Sequence, residues 1–81
     1  MSRYEIAYAP VAETALKHMQ STREFKSTMN RTLGRDPYGH RSHAVGGEKD
    51  RRQVIVAGVI VVYYVAQSVL KVTAVRLIPP P

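Results

Sequence analysis

Two short clusters in this chain carry side chains suited to chemistry on phosphate. The first is Lys49-Asp50-Arg51-Arg52, three cations within four residues. A lysine ammonium acts there as a point charge, while a guanidinium can bind phosphate through two parallel hydrogen bonds. The plain alternative for Arg51 and Arg52 is a solvated strand end. The second cluster, His40-Arg41-Ser42-His43, places two imidazoles three apart. An imidazole can act as a general base near neutral pH. Exposed polar loop residues are the plain reading of this cluster, and the spacing favours it. A zinc site needs a third and usually a fourth ligand; none is suitably spaced, and cysteine is absent, so no metal and no cofactor are expected. Arg76 either faces an anion or ends an edge strand. Tyr63 and Tyr64 adjoin on a strand and must face opposite sides: one belongs in the core and the other is free to stack on a base. Core packing is the plain alternative for both, as for Tyr4 and Tyr8, and Tyr38, beside Gly39, is the aromatic expected to be exposed. Lys17, Arg23, Lys26 and Arg31 read as solubilising residues on helix surfaces.

Charge sets the class of partner. Twelve Lys plus Arg against six Asp plus Glu give +6, with an isoelectric point near 10.1. That excess in 81 residues points to nucleic acid, an acidic protein or an anionic surface. With 44% hydrophobic and 22% charged residues the chain has the composition of a globular protein, and its length suits one domain, expected over residues 1–78. The first residues lack the basic-then-apolar run of a signal peptide. The most apolar stretch, 54–66, is interrupted by Gly58 and falls short of the roughly 20 residues a membrane helix needs. A cytoplasmic protein without a membrane partner is expected.

The elements that must position these groups are legible as periodicities. In residues 4–8, Tyr4, Ile6 and Tyr8 alternate with Glu5 and Ala7, which predicts a half-buried strand. Pro10 suits the first position of a helix, and Ala12, Ala15, Leu16 and Met19 form its apolar stripe. Ser21-Thr22-Arg23-Glu24 fits a capping box opening a second helix, with Phe25, Met29 and Leu33 buried and Gly34 as a left-handed stop. The short connection predicts an antiparallel helix pair. Residues 35–50, with Asp36-Pro37-Tyr38-Gly39 and Gly46-Gly47, read as a mostly exposed loop with room for a short strand near 42–45. Three Val/Ile/Tyr-rich runs follow, at 52–57, 59–66 and 69–77, joined by tight hairpins at Gly58 and Gln67-Ser68. The central run is apolar on both faces, so helices can cover one and a loop, partner or second copy the other. Pro79-Pro80-Pro81 reads as a stiff polyproline tail.

This order — strand, helix pair, loop, three-stranded antiparallel meander — resembles the RelE/ParE superfamily of bacterial toxins. Tyr4-Glu5-Ile6-Ala7-Tyr8-Ala9-Pro10 resembles its first strand running into helix one. Asp36-Pro37 falls at its turn after the second helix, and Gly46-Gly47 at the glycine before its second strand. Residues 58–64 resemble its stretch of Gly, a polar residue, Tyr-Arg, two aliphatics and Tyr. The resemblance implies an α+β domain with two helices on one face of a four-stranded, largely antiparallel sheet. It also implies the toxin half of a type II toxin–antitoxin system, neutralised by a cognate antitoxin and cleaving mRNA on the ribosome without a metal. Its gyrase-directed branch, or a degenerate toxin retaining only antitoxin binding, is the non-catalytic alternative, and a homodimer through the apolar sheet face is a further one.

By that resemblance Arg52, Arg51 and Lys49 hold and neutralise the scissile phosphate and Arg76 assists the leaving group. His43 or His40 transfers protons, and Arg41 contributes to RNA-phosphate binding. The chain departs from the pattern in three places. Val61 stands where the third strand should carry arginine, Val54 and Val56 where the second should carry basic residues, and prolines where a C-terminal tyrosine element should follow.

Overall fold

The computed structural model describes residues 3–79. In chain order it contains strand β1 (Glu5–Tyr8), helices α1 (Pro10–Lys17) and α2 (Thr22–Thr32), and strands β2 (His43–Val45), β3 (Glu48–Val56), β4 (Val59–Ala66) and β5 (Lys71–Ile78). The strands form one sheet in the order β1-β5-β4-β3-β2. This corrects the four-stranded, largely antiparallel sheet expected from sequence: the sheet is mixed and five-stranded. β1 runs parallel to β5, and His43–Val45 adds an antiparallel edge strand to β3. β2 falls within the short strand expected near 42–45, an edge strand that pairs through its main chain while His43 and Ala44 are exposed. Pro80 and Pro81 of the expected tail lie outside the described residues.

Local chemistry explains most boundaries. Pro10 occupies the first turn of α1, where its missing N–H costs nothing. The capping box at Ser21 does not form: Ser21 makes no side-chain cap bond. Thr22 instead donates its hydroxyl back to the Leu16 carbonyl at 2.8 Å, satisfying the end of α1. Gly34 is not a left-handed stop; its carbonyl accepts the N–H groups of Arg3 and Tyr4 at 2.8 and 2.7 Å. The two helices follow one another across residues 18–21, and Ala12 and Leu16 of α1 join Phe25 and Met29 of α2 in one buried cluster. Ala57 and Gly58, at φ 51° and 81°, close the two-residue β3–β4 hairpin, the twist-matched turn. The β4–β5 connection is looser than expected. A 3-10 turn over Gln67–Val69 runs into Leu70 at φ 49°, and the last strand begins at Lys71 rather than Val69.

One hydrophobic cluster joins the helices to one sheet face. Ala12, Leu16, Phe25, Met29 and Leu33 pack with Val54, Val56, Val59, Val61, Tyr63, Val65, Val72, Ala74 and Leu77. Cross-strand pairing fixes the inward set: Arg52 opposite Tyr63, Val54 opposite Val61, Val56 opposite Val59. Their neighbours Arg51, Gln53, Ile55, Ile60, Val62 and Tyr64 therefore share the other face.

Candidate nucleic-acid interface on the open sheet face

The face away from the helices is built as cross-strand rows. One row runs His43, Gln53, Val62, Arg76 across β2, β3, β4 and β5, roughly 14 Å of sheet at the usual strand spacing. The next holds Arg51, Tyr64, Thr73 and Ala7. On the other side lies an apolar row, Ile55, Ile60 and Ile78. A bulge in the β4–β5 pairing at Val62/Tyr63 leaves Val75 without a partner and sets Arg76 opposite Val62, on the open face. Lys71, opposite Ala66 and Glu5, adds a third cation, and Glu5 is the one carboxylate on these rows.

Arg51 lies over Tyr64. Its guanidinium carbon sits 5.6 Å from the ring centroid, and its buried Nε has no hydrogen-bond partner among the described residues. Tyr64 is 41% exposed, the one large aromatic so placed among the described residues. Towards the β2 edge, His40, Arg41, His43 and Gln53, with Val54, Ile55 and Ile60, line a cleft of about 380 Å³. His40 and Arg41 stand at φ 59° and 65°, left-handed geometry that non-glycine residues rarely adopt and that here turns the chain onto the edge of β3. Open sheet, fork-shaped donors and an uncovered ring thus lie together on this face.

The structure separates the expected site residues into two groups. Arg51, Arg76, His43, His40 and Arg41 belong to the open face or its rim. Arg52 belongs to the helix side. Its Nε and Nη2 donate to the Ser42 hydroxyl and carbonyl, both at 3.0 Å, and Nη1 donates to the Lys49 carbonyl at 3.1 Å. Lys49 and Arg52 flank the Tyr38 ring at 5.5 and 5.4 Å. Tyr38, expected to be exposed, is half-buried and donates its hydroxyl to Asp50 at 2.6 Å. Burial, and then the Asp50 carboxylate, push its phenol up to about 12. Arg52, Lys49, Asp50 and Tyr38 thus tie residues 35–42 to β3.

Val61 takes a different meaning. It is fully buried among the helix-packing residues, so an arginine there would point into the core. On β4 the open-face positions are Ile60, Val62 and Tyr64. Gln53 was not singled out in the sequence, whereas Tyr64 is one of the two tyrosines of which one was expected to be free to stack on a base. Gln53 lies two residues from Arg51 and so on the same face, a parity readable in sequence, whereas Tyr64 joins them as Arg51's partner across the strand pair. No metal-binding group of three or more His, Cys, Asp or Glu occurs among the described residues, and no helix among them is long and apolar enough to cross a membrane. No protein-family model and no curated protein matches the chain.

Proposed function

We propose that this protein is a RelE/ParE-like toxin that binds single-stranded mRNA across its open sheet face and cleaves it without a metal. The observation that carries the reading is the convergence of Arg51, Arg76 and the His40/Arg41/His43 rim on one uncovered face. In such a reaction the substrate brings its own nucleophile. The ribose 2′-oxygen attacks the adjacent phosphorus, its proton passes to His43, and the bond from phosphorus to the 5′-oxygen breaks. That oxygen takes a proton from His40, leaving a 2′,3′-cyclic phosphate and a 5′-hydroxyl. Arg51 and Arg76 offset the charge developing on the phosphorane, and the sheet holds the strand in line for attack. Arg52, fastened to Ser42, positions the rim rather than touching phosphate. A cognate antitoxin covering this face is the second partner the reading implies.

Inducing the protein in bacteria should arrest growth and produce new mRNA 5′ ends at ribosome-bound codons. The Arg51→Ala/Arg76→Ala double variant should do neither, and unchanged cutting by that variant would overturn the assignment. A non-catalytic reading has one observation in its favour: Val62, between Gln53 and Arg76, puts an apolar side chain at the centre of the row. Growth arrest with intact transcripts would select it.

A further inference from the structure

We infer that Tyr64 and Arg51 form a stacking clamp in which the exposed tyrosine ring takes a nucleobase of the bound strand while the guanidinium beside it holds a flanking phosphate. The inference rests on the open face being an RNA-binding surface, and it assigns to Tyr64 a role separate from charge. The ring is exposed on a strand position whose cross-strand neighbours, Arg51 and Thr73, are polar, so no apolar partner draws it down to the sheet. The Arg51 guanidinium lies against the ring, which limits its rotamers and leaves its terminal nitrogens as the donors for an anion. Its Nε–H is buried and has no partner among the described residues, so a phosphate oxygen would meet the guanidinium at its terminal nitrogens. Every base has a π-face, so a platform of this kind is tolerant of sequence, whereas the phosphate contact sets the register of the strand. The favoured occupant is single-stranded nucleic acid rather than an apolar protein surface, because Arg51, Arg76 and Lys71 outnumber Glu5 on these rows.

The chain contains no tryptophan, so Tyr64→Trp introduces a sole indole at this position. A short oligoadenylate should quench its fluorescence, and an abasic strand of equal length should bind through its phosphates without quenching it. Tyr64→Ala should weaken oligoadenylate binding roughly 5- to 150-fold, the range for loss of one base–aromatic stack, and leave the abasic strand unaffected. Tyr64→Phe, which keeps the ring, should bind like the parent. If oligoadenylate binds Tyr64→Ala as tightly as the parent, or saturates Tyr64→Trp without quenching, the clamp is wrong and the RNA-binding face stands. If neither strand binds the parent protein, both fall. Quenching that depends on protein concentration with no strand present would give the face to a second copy and overturn the clamp.

Discussion

The same residue pair occurs twice in adjacent positions of this sheet, once on each face. Arg52 stands opposite Tyr63 on the helix side, and Arg51 stands opposite Tyr64 on the open side. Inside, every polar end is fastened: Tyr63 donates its hydroxyl to the Pro37 carbonyl, and Arg52 makes three hydrogen bonds to Ser42 and Lys49. Outside, Arg51 and Tyr64 lie against each other, and the Arg51 Nε has no partner among the described residues. Two side chains of each type, one residue apart, thus separate into a structural pair and an available pair. Strand parity puts the pairs on opposite faces, and the return of residues 35–42 fastens the inner one.

The largest effect that can break this comparison is on stability. Tyr63→Ala empties a fully buried site and should cost about 3–5 kcal/mol in denaturant unfolding, whereas Tyr64→Ala should cost under about 1 kcal/mol. Equal costs would mean that the two faces are not distinct. Next in size is binding. Removing Arg51 and Arg76 together should lower the slope of log affinity against log salt by about 1.4, two single-strand phosphate contacts at roughly 0.7 each. Arg52→Ala should leave that slope unchanged while costing roughly 1–3 kcal/mol of stability through its lost hydrogen bonds.

How far the sequence foretold this division depends on what each residue senses. Both helices were legible, because stripes such as Phe25, Met29 and Leu33 report burial directly. The parting of Tyr63 from Tyr64 was legible as a necessity, but which one faces inward was not, since Val61, Val62 and Val65 give β4 apolar residues on both sides. The setting of Arg52 was hidden for a related reason. Its partner Ser42 is recruited by the return of residues 35–42 to the sheet, a tertiary event that no local pattern in a polar, glycine-bearing segment announces. β2 was only half seen for the same cause, and the mixed character of the sheet arises where β1, from the far end of the chain, pairs with β5.

Titration tests the inner face from another side. Burial pushes the Tyr8 phenol up to about 12 and raises that of Tyr63, while burial and the Asp50 carboxylate take Tyr38 up to about 12. A phenol harder to ionise in the folded than in the unfolded chain stabilises the fold fully below the unfolded value, about 10, and loses that contribution as pH rises towards the folded one. The unfolding midpoint should therefore fall between about pH 10 and 12. Tyr38→Phe should make the fall shallower. A midpoint flat across that window would mean that neither the Tyr38 nor the Tyr8 phenol is held in a buried setting.

The smallest effect concerns how the loop that fastens Arg52 and Tyr63 is itself held. A Cβ placed on Gly39 would lie 2.3 Å from Asp36 Oδ2, and the other oxygen of that carboxylate accepts the Tyr38 N–H at 3.3 Å. The turn therefore uses the carboxylate as a brace that only glycine leaves room for. Because the clashing atom ends a short side chain, it can swing aside, so Gly39→Ala should cost only about 1 kcal/mol, roughly the worth of the bond surrendered. In an Asp36→Ala background neither the clash nor the brace remains, and the same substitution should cost close to nothing. Non-additivity of that sign, read from a double-mutant cycle in denaturant, would place the brace at Asp36. Equal costs in the two backgrounds would show that the inner pair is held by Arg52 and Tyr63 themselves, with the turn merely following.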